Sequence, residues 1–240
     1  LGIDVYNKEH LERYVHEDTQ NAFDLFNGGS LSRHITYTNP KNGDWVEVGY
    51  QYAFDRKGDE HEMRSATTEQ KPDIVMHIHK KEREITLTYL YDAKYSVRGD
   101  DDPTLGYVQD EPKSETINAM HHYRDAIYYT QEGKDSLKRE VIGGYVLFPG
   151  TVTKEDFSDY YYKNAIDKIG IGAFPLKPGK MIVDKDGNLI LDPNSSEQVL
   201  REQIELWLKD SQAKQTLLQK SIPQKGLEYV IERTGTAMDT

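Results

Sequence analysis

Two neighbouring stretches decide the fold of this chain: Lys71-Pro72-Asp73-Ile74-Val75-Met76-His77-Ile78 and Tyr91-Asp92-Ala93-Lys94-Tyr95. The first opens an apolar strand, and the second ends a strand that runs over 85–95. The charged run 80–84 between them is typical of a turn, so the sequence predicts a hairpin. Because side chains two positions apart on a strand share a face, Asp92 and Lys94 are expected to point the same way, with Asp73 close to them.

Two carboxylates and one amine at the mouth of a hairpin can hold a divalent cation and a water molecule. Mg²⁺ usually takes one or two carboxylates and fills its other positions with water and substrate phosphate. Such a cation activates water and neutralises a transferring phosphoryl group, and a neighbouring lysine can orient the water or stabilise negative charge. We therefore predict metal-assisted phosphodiester hydrolysis, with Asp73 and Asp92 as metal ligands and Lys94 as their catalytic partner. The alternative is a solvated hairpin with a surface ion pair.

The pattern Pro72-Asp73 … Asp92-Ala93-Lys94 resembles the PD-(D/E)XK nucleases, which have the restriction-endonuclease-like fold. Three further segments are similar to one branch of that superfamily, the nuclease domains found beside AAA+ motor ATPases in McrBC-like restriction systems. They are Met120-His121-His122-Tyr123-Arg124-Asp125-Ala126-Ile127, Tyr145-Val146-Leu147-Phe148-Pro149-Gly150 and Ile169-Gly170-Ile171-Gly172-Ala173-Phe174-Pro175-Leu176-Lys177-Pro178-Gly179. The resemblance covers about residues 45–180 in order.

The resemblance implies an α/β fold in which helices flank a central mixed sheet, and the capping residues at 194–197 add a C-terminal helical extension. It implies a DNA endonuclease of a restriction or antiphage defence system that uses Mg²⁺, for which Mn²⁺ can substitute, and that works with an AAA+ NTPase. A nuclease acting on RNA or on branched or single-stranded DNA is one alternative. A catalytically silent nuclease fold that serves as a scaffold or assembly subunit is the other.

The resemblance also extends the list of candidate site residues. Many superfamily members carry a further acid on the first helix, which is predicted here over 7–27. Its candidates are Glu9, Glu12 and Glu17, of which we take Glu12 as the third metal ligand, although the sequence does not choose among them. Three residues of a helix predicted over 114–131 are candidates for substrate binding: His121, Tyr123 and Arg124. Helix packing and a surface Arg124–Asp125 pair explain them equally well.

Composition limits the function classes. The 240 residues include no Cys, which excludes disulfides and cysteine–zinc sites and makes a reducing cytoplasm the expected location. No apolar stretch is long enough to span a bilayer. No GxxxxGK[ST] loop occurs, so an ATPase partner is expected to be another chain or segment. The chain begins with Leu rather than Met, which is compatible with a piece of a longer protein.

The net charge of −11, from 30 Lys and Arg against 41 Asp and Glu, is unusual for a protein that binds nucleic acid. It predicts weak unaided DNA binding and delivery to DNA by a partner or a second copy of the chain, so a homo-oligomer is possible. The alternative is a locally basic cleft in spite of the global acidity. Its candidate residues are Lys80, Lys81, Arg83, Lys94 and Arg98.

Further elements follow from periodicity and turn residues. Strands are predicted at 33–38, 45–54 and 140–148, helices at 154–168 and from 194 to about 219, a hairpin at 181–191 and a mobile loop at 96–113. A nuclease domain over 1–192 and a C-terminal helical extension with a tail over 193–240 are expected. His77 and His79 could line the metal site, but we interpret them as hydrogen-bonded core or surface residues.

Overall fold

The structure, a computed structural model, describes residues 34–57, 63–95, 97–98, 110–130 and 137–210. Its strands are β1 (His34–Thr38), β2 (Trp45–Tyr50), β3 (Met63–Ser65), β4 (Ile74–Lys80), β5 (Ile85–Ala93), β6 (Val97–Arg98), β7 (Glu111–Pro112), β8 (Ile127–Thr130), β9 (Leu137–Arg139), β10 (Val141–Phe148), β11 (Ile171–Pro175), β12 (Met181–Val183) and β13 (Leu189–Leu191). Its helices are α1 (Ser114–Ala126), α2 (Lys154–Phe157), α3 (Tyr161–Ile169) and α4 (Ser196–Lys209).

The main sheet has six strands in the order β1-β2-β4-β5-β10-β11. The four strands from β1 to β5 pair antiparallel, whereas β10 lies parallel to both β5 and β11. Helices lie against this mixed sheet, so the predicted α/β architecture is confirmed. The predicted hairpin is confirmed as well, because β4 and β5 pair in register across a 3₁₀ turn at Lys81–Arg83.

Strand β10 lies between β5 and β11 in this sheet, and all eight of its residues are buried. A strand of a parallel pair that is covered on both faces needs this continuous apolar composition. Gly144 also permits the close approach of α1, since a Cβ atom at this position would lie 3.3 Å from the Met120 Cβ atom. The sequence of β10 therefore fits a strand covered on both faces.

Helix α4 is an integral part of the core. The Trp207 ring stacks on Tyr89 at a centroid distance of 4.3 Å and on Tyr145 at 5.2 Å, and its side chain is 7% exposed. The predicted helix from 194 to about 219 is thus confirmed as far as Lys209, and residues 211–240 lie outside the described part of the chain. The domain boundary at 192/193 stays a prediction.

A second, three-stranded sheet in the order β3-β8-β9 corrects one prediction. The helix expected over 114–131 ends at Ala126, and Ile127–Thr130 forms β8 instead. The sequence Ile-Tyr-Tyr-Thr consists of β-branched and aromatic residues, which favour strands, and β3 and β9 supply partners on both sides. Under this small sheet lies a separate apolar cluster whose buried members are Phe54, Met63, Val75, Leu90, Ile127 and Val141.

Two smaller differences also have local causes. The helix expected over 154–168 is two helices, α2 and α3, separated by a turn at residues 158–160. The hairpin predicted at 181–191 is confirmed as β12–β13, and Gly187 adopts a left-handed φ of 85° in its turn. Among the described helices, none combines the length and the apolar composition that crossing a bilayer requires.

Candidate active site

The open end of the β4–β5 hairpin brings Asp73 and Asp92 together. The register pairs Ile74 with Tyr91, so Asp73, one residue earlier, stands opposite Asp92. Residues directly opposite on antiparallel strands project from the same face of the sheet. The two carboxyl groups are close enough for one to donate a hydrogen bond to the other when it is protonated. Asp73 is held in place by the Ala93 backbone N–H, which donates to its Oδ2 atom at 2.8 Å.

Lys94 joins the two acids. Its Nζ atom lies 2.5 Å from the Oδ2 atom of Asp92, and its side chain is 35% exposed. Its backbone N–H donates to the Leu147 carbonyl at 2.8 Å, which ties the residue after β5 to the neighbouring strand β10. The structure thus brings together the three residues that the sequence predicted as catalytic, with the amine beside the acids and open to solvent.

Burial and charge both perturb Asp92, which is 3% exposed. Burial, followed by the hydrogen bond and the charge of Asp73, raises the pKa of Asp92 from 3.8 to about 6, and Lys94 opposes this shift. A carboxylate that is taken out of water beside a second acid holds its proton more tightly. The pair is therefore a place where positive charge is strongly favoured, whether as a proton, an ammonium or a cation.

The donor set fits a hard divalent cation. Two adjacent carboxylates match Mg²⁺, which dehydrates reluctantly and is often held by one or two acids, with water and phosphate at its other positions. Within residues 34–57, 63–95, 97–98, 110–130 and 137–210, no group of three or more His, Cys, Asp or Glu side chains could hold a metal ion. Glu9, Glu12 and Glu17 lie outside the described residues, so the third ligand stays a prediction.

The three substrate-binding candidates on α1 lie in two different places. Tyr123 faces the acids: its Oη atom donates to the Lys71 carbonyl at 3.3 Å, and burial, together with the charges of Asp92 and Asp73, raises its pKa. Arg124 instead donates to the Ile169 carbonyl at 2.8 Å, at the end of α3, and contacts His121 at 3.4 Å. The contacts of Arg124 are therefore those of a residue that caps a helix. Substrate binding by Arg124 and His121 stays a prediction.

The two histidines of β4 form cross-strand hydrogen bonds, as interpreted from the sequence. The Nδ1 atom of His77 lies 3.0 Å from the Thr88 hydroxyl, and that of His79 lies 3.1 Å from the Thr86 hydroxyl. The His79 ring also stacks on Trp45 at a centroid distance of 5.0 Å. These contacts explain both residues as parts of the sheet.

One contact of the candidate site carries no sequence signal. The Leu147 carbonyl fixes the backbone of Lys94, but every residue has a carbonyl, so no residue type reveals this contact. Knowledge of the β5–β10 register, in which Leu147 is the partner of Ala93, would be needed to find it.

Comparison with known proteins agrees with this geometry. A family model described as the PD-(D/E)XK nuclease superfamily matches residues 5–153, which include the acid pair, Lys94 and α1. No curated protein and no solved structure matches the chain significantly. The match extends over more than half of the sequence.

Proposed function

This chain belongs to the PD-(D/E)XK nuclease superfamily, and on that premise we propose that it is a Mg²⁺-dependent DNA endonuclease. The observation that carries the proposal is the acid pair Asp73–Asp92 with the Lys94 ammonium 2.5 Å from Asp92. Superfamily membership supports metal-dependent nuclease chemistry. We propose DNA as the substrate and Mg²⁺ as the cation in addition to what superfamily membership implies. Mn²⁺ is expected to substitute for Mg²⁺.

In this proposal each of the three residues has a distinct task. Asp73 and Asp92 hold the cation, which supplies charge neutralisation at the phosphate and a lower pKa for water. The Lys94 ammonium orients the attacking water and stabilises the negative charge that develops on the phosphate oxygens. The backbone hydrogen bond from Lys94 to Leu147 keeps this amine in position as the reaction proceeds.

Tyr123 is the α1 residue best placed to contact the substrate. Its hydroxyl lies at the entrance to the acid pair, beside the backbone of Lys71. A neutral hydroxyl can donate to a phosphate oxygen without adding charge, and the raised pKa of Tyr123 keeps it neutral. We propose that Tyr123 binds the phosphate next to the one that is cleaved.

A plasmid-nicking assay tests the activity. We expect the chain, alone or together with its partner, to nick supercoiled DNA with Mg²⁺ or Mn²⁺ and to be inactive with EDTA, and we expect Asp73→Asn to remove activity. Asp167→Asn, at an exposed position on α3, is the control and should leave nicking unchanged. Parallel reactions with RNA and with single-stranded and branched DNA separate those substrates. Inactivity on all of them, with and without a partner, would favour the silent scaffold.

We further propose that the chain works in a restriction or antiphage defence system with an AAA+ partner. Its support is the acidity of the chain, since a body of net charge −11 repels a polyanion unless a partner or the metal offsets the charge. A purified chain should therefore bind a short duplex at near-physiological salt more weakly than about 10⁻⁷ M. Tighter binding would show a nuclease that needs no partner to bind DNA. A second copy of the chain, in place of the AAA+ partner, is the alternative source of additional binding surface.

A further inference from the structure

The outer face of the small sheet β3-β8-β9 carries a row of cationic and aromatic side chains. The register places Arg64 opposite Tyr128, and Tyr128 opposite Arg139. Directly opposite residues share a face, so the order across the three strands is Arg, Tyr, Arg. The other face of the sheet is the one that Met63 and Ile127 bury in the apolar cluster. The row therefore points away from the core.

These side chains are accessible. Arg139 has a side chain that is 53% exposed, and Arg64 and Tyr128 are half-buried. Arg56 is exposed at the edge of the row, where it lines a shallow depression with Arg64 and donates to the Thr67 carbonyl at 3.0 Å. The Nη2 atom of Arg139 lies 3.5 Å from the Oδ1 atom of Asp125. Among the residues that the structure describes, neither Arg56 nor Arg64 has an ion-pair partner.

The small sheet that carries the row lies on the same side of the main sheet as the candidate active site. The apolar cluster beneath the small sheet includes Leu90, which precedes Asp92 by two positions on β5 and shares its face. Tyr123 packs against the same cluster and also reaches the entrance to the acid pair. The small sheet and the two acids therefore occupy the same side of the main sheet, and Leu90, beneath the small sheet, lies roughly 7 Å along β5 from Asp92.

We propose that the row Arg64–Tyr128–Arg139, together with Arg56, binds nucleic acid and guides a strand to the acid pair. This inference rests on the proposed function, because a nuclease needs a surface that tracks its substrate. The guanidinium groups bind successive phosphates, for which the planar fork of Arg is well suited. The Tyr128 ring between them offers a stacking platform for one base, as in proteins that bind single strands.

Local charge favours a polyanion over other ligands. Three arginines lie on one small surface of a chain whose net charge is −11, and only Arg139 among them pairs with a described acid, Asp125. A second copy of the chain, which is itself acidic, is the competing occupant. The two differ in a measurable way, because binding of nucleic acid releases counterions in proportion to the phosphates contacted.

Binding without cleavage tests the inference. We would titrate the full chain into a fluorescein-labelled duplex and into the matching single strand, with EDTA, over a series of salt concentrations. The double variant Arg64→Gln/Arg139→Gln should weaken binding about tenfold at low salt and reduce the slope of log K against log salt by about two. Tyr128→Leu should weaken binding of the single strand more than binding of the duplex, because only unpaired bases can stack on the ring.

The controls separate charge, folding and self-association. Arg201→Gln removes an exposed guanidinium on α4 that pairs with Glu205 at 3.6 Å, much as Arg139 pairs with Asp125, and should not change binding. Arg64→Lys/Arg139→Lys, which keeps the charges, should restore most of the affinity and the salt slope. An unchanged slope in the double glutamine variant, or no binding by the wild-type chain at low salt, would overturn the inference. A change of oligomeric state in gel filtration would instead assign the face to a second copy.

The outcome is independent of the catalytic test. A chain that binds through the row but cleaves nothing with Mg²⁺ or Mn²⁺ would refute the nuclease proposal and retain the binding surface. A chain that cleaves DNA, yet binds it equally well with the arginines replaced, would retain the nuclease proposal and refute the binding surface.

Discussion

The Nζ atom of Lys94 lies 2.5 Å from the Oδ2 atom of Asp92, whose side chain is only 5% exposed. The two residues share one face of the chain at the end of β5, and Asp73 joins them from the neighbouring strand. An ammonium held on a buried acid, with part of its surface open to solvent, is available to a bound phosphate. The consequences for activity, metal binding and stability can be measured separately.

Lys94→Ala should lower DNA cleavage about 10²-fold or more, because the positive charge that faces the phosphate is lost. The matched control is Lys163→Ala on α3, whose ammonium makes an ion pair with Asp167 at the same distance of 2.5 Å but lies on the surface of a helix. Cleavage rates with saturating Mg²⁺ would compare the two variants. Equal rates for both would show that the amine of Lys94 takes no part in catalysis.

Asp92→Asn should abolish binding of Mn²⁺ while the fold survives. The substitution also removes the repulsion between two adjacent acids, so we expect the apo protein to become more stable by about 1 kcal/mol. Calorimetric titration with Mn²⁺ and thermal unfolding with EDTA measure the two effects. Wild-type affinity in this variant would mean that the cation binds elsewhere.

The affinity for Mn²⁺ should rise with pH up to about 6 and then level off. Burial and Asp73 raise the pKa of Asp92 from 3.8 to about 6, so a proton competes with the cation below that pH. The same shift affects folding. Between about pH 4 and pH 6 the folded chain keeps a proton that the unfolded chain has lost, so stability falls as pH rises, and this cost is constant above pH 6.

The measurement is a series of Mn²⁺ titrations from about pH 4 to about pH 8, with urea unfolding of the apo protein at each pH. In Asp92→Asn the part of the stability profile that falls between pH 4 and pH 6 should flatten. A wild-type affinity that does not depend on pH would contradict the raised pKa of Asp92.

Trp207→Ala should destabilise the protein by about 3–5 kcal/mol, because it removes a buried ring that stacks on Tyr89 and Tyr145. Leu206→Ala is the neighbouring control, since that side chain is 61% exposed and its loss should cost less than about 0.5 kcal/mol. Urea unfolding compares them. Equal effects would show that α4 does not support the core.

The hairpin and its site were predictable because their signals are local. Alternation along β5 fixes the shared face of Asp92 and Lys94, and the turn between β4 and β5 sets the register that brings Asp73 opposite. The β12–β13 hairpin followed in the same way from its turn residues. In these cases a short segment of sequence determines the geometry.

Features that depend on distant partners could not be predicted. The charged turn made Lys80 a candidate for a basic cleft, but its side chain is buried, lies 3.5 Å from Asp44 and donates to the carbonyl of Leu208 on α4. The strand β8 depends in the same way on its pairing with β9 and with β3, which is distant from it in sequence. Local helical periodicity carries no information about either arrangement.

The hydrogen bond from Lys94 to Leu147 has a consequence for the order of folding. The two acids meet through a hairpin, which forms between segments close in sequence, whereas Lys94 is anchored only when β10 docks in parallel from far along the chain. Contacts between distant segments cost more loop entropy and generally form late. In a nascent or partly unfolded chain the two acids would then be paired before the Lys94 amine is held in place. Nuclease activity would appear only in the last steps of sheet assembly.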